Sequence, residues 1–220
     1  MIKFPAQTQL PKPQKMDKKM LLKNLNLSAE MKRDLTDQIQ KIQITHQIAP
    51  NTTNIMAGKN VQQIMVMHIV LKGMEINHSL MANLDEQMGM YLAFIIESSD
   101  GKQSFIIHFK EPTTAPGKHF TIRKRFESSN DEEIEFKGND LDQVYENLVR
   151  EVAPSEISHA KIGNLAENIQ INEQIAKLTK QALALETKMR TDKSMRKQLA
   201  YKRERAEMLK QIETLKGGKI

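Results

Sequence analysis

Between Gly163 and Gly217 the chain contains neither glycine nor proline. A stretch of that length without a helix breaker, rich in Ala, Leu, Gln, Glu, Lys and Arg, is built for helix. Within it Ile171, Ile175, Leu178, Ala182, Leu185 and Met189 alternate by four and three, the spacing of a coiled-coil seam. The next seam places fall on Asp192 and Arg196, so the seam stops there. Tyr201, Met208, Ile212 and Leu215 resume it in another register. Two arrangements satisfy this break. One is an antiparallel hairpin with its turn near Thr191–Ser194, where Asp192 or Ser194 caps the second helix. The other is a single bent helix that pairs with another chain, a homodimer included.

The charge is placed as unevenly as the glycine. Residues 161–220 hold 14 Lys and Arg against 7 Asp and Glu, whereas residues 1–160 hold 19 against 20, so the whole positive excess lies in the tail. Lys188, Arg190, Lys193, Arg196, Lys197, Lys202, Arg203 and Arg205 wind around a continuous helix at about 100° per residue. In a hairpin the same residues gather near the tip as a compact positive knob, suited to phosphate-backbone contact rather than base reading. The same charges also serve simply to solvate a coiled coil. A second basic patch, from Lys3 to Lys23, lies in the segment 1–24, where Pro5, Pro11 and Pro13 predict an extended arm with a short helix from Asp17 to Leu25.

Residues 25–155 read as a globular α+β domain. Ser28 is placed to cap a helix with Met31, Leu35, Ile39 and Ile42 on one face, leading into a short strand that Pro50 ends. The run Val61–Leu71 is apolar at both parities, the pattern of a strand covered on both sides, and a short helix over Ser79–Gln87 follows. Tyr91–Ile96 and Ser104–Phe109 flank Asp100-Gly101, a tight-hairpin signal. His119–Phe126 predicts a further strand and "EEIEF" a short edge strand. Asp140 and Gln143 form a capping box ahead of the stripe Leu141, Val144, Tyr145, Leu148 and Val152, which Pro154 closes. The expected architecture is a small, mostly antiparallel sheet with flanking helices, followed over 163–216 by a basic helical hairpin or coiled coil.

Catalytic signatures are sparse. Cysteine is absent, which excludes disulfides, thiolate metal sites and thiol nucleophiles, and the six histidines, His68 within the apolar strand included, read as packed or surface residues. No glycine loop for phosphate or dinucleotide and no serine elbow occurs. Glu135-Phe136-Lys137 has the acid-x-Lys spacing of metal-dependent nucleases of the restriction class, with Asp100 as the available second acid; a solvated edge strand explains the same three residues. The start carries no apolar run of signal-peptide length, and no later run approaches a membrane span, which predicts a cytoplasmic protein.

"LNLSAEMKRDLTDQIQKI", "IAPNTTNI", "VQQIMVMHIVLK", "LDEQMGMYLAFIIESSDGK", "FKE" and "DLDQVYENLVREVA", followed by a basic helical tail, together resemble an uncharacterised bacterial family, domain of unknown function 4391. The resemblance runs from about Leu10 to Leu215. Its most specific parts are Ala49–Ile55 and Leu141–Asn147. This chain departs from the family pattern in having Met88-Gly89-Met90 where an Ile-Pro-Tyr turn is usual, and in lacking an aromatic residue near Thr45. The resemblance implies company with helicase and DNA-methyltransferase genes of restriction or phage-defence type, and supplies no catalytic motif.

The functional expectation is a non-catalytic accessory subunit without cofactor or metal. Its body would bind a helicase or DNA-methyltransferase partner and its basic tail DNA. The alternatives are a degenerate nuclease using Asp100, Glu135 and Lys137, and a coiled-coil oligomerisation protein.

Overall fold

The computed structural model describes residues 3–129, 134–152 and 165–216. They fall into two compact units, Met1–Ala153 and Pro154–Ile220.

The first unit is α+β. Six strands, β1 (Gln9–Lys15), β2 (Ile39–Ile48), β3 (Ile64–Leu71), β4 (Tyr91–Glu97), β5 (Gln103–Pro112) and β6 (Phe120–Ser128), form one sheet in sequence order. Every neighbouring pair is antiparallel except β3–β4, which are parallel and are joined through helix α4 (His78–Gln87). A parallel neighbour needs a crossover, and α4 supplies it. Leu35, Leu80, Met81 and Leu84 pack with Ile42, Met67, Phe94 and Ile106 in a core shared by α1 (Lys18–Asn24), α2 (Ala29–Asp37) and α4. The opposite parity of β4 and β5, including Tyr91, Ile95, Phe105 and Ile107, is also buried. There α5 (Leu141–Val152) packs on β5 and β6, with all five residues of its predicted stripe buried. Gln143 N–H donates to Asp140 Oδ1 at 2.9 Å, as the cap requires.

Several local expectations change. Ile39 and Ile42 lie in β2 rather than on the preceding helix, which ends at Asp37. Their spacing of three fits a helix, but the β-branched run that follows is better served by the ladder with β3. Residues 9–15, expected as an arm, form the edge strand β1, where Pro11 and Pro13 are tolerated because an edge strand has one unpaired side. Asp17 caps α1, accepting from Lys19 N–H at 2.9 Å, and Leu21 is buried in the core. Of the "EEIEF" segment, residues 134–136 form no strand, and Glu132 and Glu133 lie outside the described residues, as does Pro154. Ile134 N–H donates to Lys3 O at 2.8 Å instead.

The second unit is a helical hairpin of α6 (Leu165–Thr191) and α7 (Met195–Leu215). The two seams meet each other within one chain, burying Ala182, Leu185 and Ile212, with Arg205 reaching Glu186 across the pair at 3.2 Å. Asp192 makes the turn: its Oδ1 accepts from Ser194 N–H at 2.9 Å and its carbonyl from Gln198 Nε2 at 2.6 Å. Ser194 is the N-cap of α7 but makes no side-chain capping bond.

Candidate functional site

The hairpin turn does gather the basic residues. Lys188 and Arg190 end α6, Lys193 lies in the turn, and Arg196, Lys197, Lys202, Arg203 and Arg205 follow on α7, against Asp192 and Glu204 as the acidic residues of that span. Seven of the eight are exposed; Arg205 is half-buried. Arg190 pairs with Glu186 at 2.7 Å, Arg205 with the same carboxylate at 3.2 Å and Lys197 with Asp192 at 3.9 Å. Lys188, Lys193, Arg196, Lys202 and Arg203 form no ion pair among the described residues. Five unneutralised cations thus lie around one turn, a local concentration of positive charge.

Asp100 sits in the β4–β5 turn. It accepts from Ser98 Oγ at 2.5 Å and from Lys102 N–H at 3.2 Å, and pairs with Lys102 Nζ at 2.8 Å. The bonds from Lys102 and Ser98 hold its carboxyl well below the usual range. Gly101 has φ +81° and supplies the left-handed residue of the turn. Glu135 pairs with Lys137 at 3.1 Å, and Lys137 also reaches Glu151 at 3.2 Å. Among the described residues no group of three His, Asp or Glu side chains is placed to hold a metal ion.

A different cluster lies inside the body. Asp85 of α4 and His108 and Lys110 of β5 are all buried, at 0%, 1% and 2% exposure. Lys110 Nζ donates to Asp85 Oδ1 and to the carbonyls of Met90, at 2.8 Å, and Asp85, at 3.5 Å. His108 Nδ1 lies 2.8 Å from Asp85 Oδ2, so the Nδ1–H tautomer donates to it. The Lys110 ammonium also stands 4.3 Å from the Phe120 ring centre and 5.2 Å from that of Tyr91. Burial pushes the Lys110 amine below its usual range, and Asp85 opposes that shift. Tyr145 donates its hydroxyl to the carbonyl of His108, and burial raises its ionisation well above the usual value.

All the polar valences of Asp85 and Lys110 named here are met within the protein, which makes the cluster a lock between α4 and β5. Sequence reasoning passed over it. Lys110 follows the apolar run of β5 and precedes Glu111, so in the sequence it reads as a strand-end lysine, and only the packing of α4 buries it.

Burial raises Tyr91 to about 12. An unfolded tyrosine ionises near 10, so the stability this group contributes is fully present below about pH 10 and lost as pH climbs toward 12. In an alkaline titration of the native protein, a tyrosinate absorbance step near 12 is expected, and the Tyr91→Phe variant removes it.

The two most specific segments of the resemblance, Ala49–Ile55 and Leu141–Asn147, meet at their ends through a bridge between Met56 and Asp140. Asp142 takes three backbone N–H groups of the loop before β3: Lys59 at 2.8 Å, Asn60 at 3.1 Å and Val61 at 2.7 Å. A Cβ on Gly58 would lie 2.4 Å from the Asp142 carboxyl, so only glycine admits this approach. Asn147 Nδ2 donates to Lys137 O at 2.5 Å, and Leu141 N–H to Met56 O at 2.9 Å. In the other specific segment Thr52 Oγ1 accepts from Ala49 N–H at 3.0 Å, and Asn54 ends α3 (Pro50–Thr53) at φ +58°. Gly89 has φ +68°, a conformation that glycine adopts freely and proline cannot. Asp142→Ala is expected to cost about 1–3 kcal/mol, because three amides lose a charged acceptor. Thermal unfolding measures the loss, and hydrogen exchange should accelerate at the 59–61 amides.

A family model described as "Domain of unknown function (DUF4391)" matches residues 2–215. The chain belongs to that family. The match spans both units, so the hairpin is part of what defines the family together with the sheet. No curated protein and no solved structure matched the chain. Among the described residues no helix is long and apolar enough to cross a membrane.

Proposed function

We propose that this chain is a non-catalytic accessory subunit of a bacterial helicase or DNA-methyltransferase system of restriction or phage-defence type, in which the α+β body docks on the protein partner and the hairpin tip contacts the phosphate backbone of DNA. The partner class rests on what the resemblance implies about gene company, which the family match itself does not address. The nucleic-acid role is carried by one observation, the five cations without ion pairs at the α6–α7 turn. Binding of this kind is weak and sequence-tolerant, since the tip offers charge, and Tyr201 is the sole aromatic residue of the hairpin for stacking.

The test is retention of a mixed-sequence duplex by the full chain, followed by fluorescence anisotropy across a salt series. The expected result is binding at low salt whose log–log slope is roughly 4 to 5, near 0.9 per phosphate contact. Absence of retention at low salt removes the phosphate role and leaves the tip as solvated charge or a protein-docking surface.

A further inference from the structure

Helix α7 carries two apolar stripes, and the hairpin uses one. Tyr201, Met208, Ile212 and Leu215 turn toward α6. Met195, Leu199, Ala206 and Leu209 form a second stripe by the same four-three spacing, with Lys202 at its central place. The second stripe is bare: Met195 is 84% exposed, Leu199 51% and Leu209 42%. A helix with two seams belongs in a bundle of more than two helices, because each seam is stabilised only when another helix covers it.

The residues flanking the bare stripe state what that helix must be. The position after each of Met195, Lys202 and Leu209 is basic, namely Arg196, Arg203 and Lys210. On the other flank Arg205, which precedes Ala206, is already paired with Glu186 of α6 at 3.2 Å. In coiled coils these flanking places pair across the interface and select the partner. A second copy fits poorly: antiparallel pairing sets Arg196, Arg203 and Lys210 against one another, and parallel pairing sets Arg205 against Lys210 and Gln198 against Arg203, with no ion pair gained. From this complementarity we infer that the outer face of α7 docks an amphipathic helix of a partner protein with acidic residues on the flank of its apolar stripe that meets Arg196, Arg203 and Lys210, completing a three-helix bundle with the hairpin. Lys202 within the stripe fixes the register, as a lone polar seam residue does.

The inference does not rest on the nucleic-acid role, and its test contains no nucleic acid. Two synthetic helical peptides of about four heptads carry leucine at both seam places, one with glutamate and the other with lysine at the flanks. Binding of each to the full chain is followed by anisotropy. The acidic peptide is expected to bind at least about tenfold more tightly, from three cross-helix pairs gained in one complex and three repulsions met in the other. Arg196→Glu, Arg203→Glu and Lys210→Glu together should reverse the order, and Leu199→Glu should weaken the acidic peptide about tenfold or more, since it places a charge in the seam. All four changes are at exposed positions, and far-UV circular dichroism verifies the hairpin. Binding of the two peptides within about twofold of each other, binding of neither, or a preference that the triple reversal leaves in place overturns the inference. So does self-association of the chain in sedimentation that Leu199→Glu abolishes, which assigns the face to a second copy. DNA retention without peptide binding overturns this inference alone and leaves the phosphate role standing.

Discussion

Replacing Asp85 with alanine is expected to cost about 3–5 kcal/mol, enough to remove a large part of the stability of a domain this size. The reason lies in what stays behind. Lys110 remains buried at 2% exposure with its strongest acceptor gone, and His108 Nδ1–H loses its partner as well. An uncompensated buried ammonium either drags water inward or gives up its proton, and both are costly. The double variant Asp85→Asn, Lys110→Met is the informative control. It removes both charges, keeps an amide oxygen for His108, and keeps most of the lysine's volume. Such a replacement is often close to neutral, so it should recover most of the loss, leaving less than about 2 kcal/mol. Urea unfolding of the full chain, read by a signal from the sheet, measures both variants. A single variant as stable as the parent would mean that Lys110 finds another partner, and the cluster would no longer hold α4 to β5.

Neutralising Lys188, Lys193, Arg196, Lys202 and Arg203 together is expected to flatten the salt dependence of DNA binding by up to roughly 4 to 5 in log–log slope, if each of the five contacts duplex phosphate. Neutralising Arg190, Lys197 and Arg205 should remove less than about half of that, because their charge is already shared with Glu186 or Asp192. The comparison separates contact from background. A uniform field of net positive charge would weaken with the number of charges removed, whichever ones they are. Direct phosphate contact weakens with the identity of the residues. Equal loss per residue in the two sets would leave charge steering as the role of the tip, with no defined contact surface.

Elements whose reasons are local were legible in the chain. The Asp100-Gly101 turn, the stripe of α5, the doubly apolar β3 and the register break at Asp192 each follow from residues within one or two turns of one another, and each element stands where those residues put it. The basic tip was legible for the same reason, since a hairpin brings its turn residues together wherever it is attached. Elements settled by a neighbour were not legible. Ile39 and Ile42 have helical spacing, yet β3 was waiting to pair with them; residues 9–15 have an arm's composition, yet β2 offered an edge. The Asp85–His108–Lys110 cluster lay furthest from sequence reach. Asp85 is more than twenty residues from His108 and Lys110 and meets them only once α4 has crossed over the sheet, and the low polarity that makes their pairing obligatory exists only in the folded body. The same holds for the bare stripe of α7. Its spacing is written in the chain, but only the hairpin decides which of the two seams is covered and which is left for another helix.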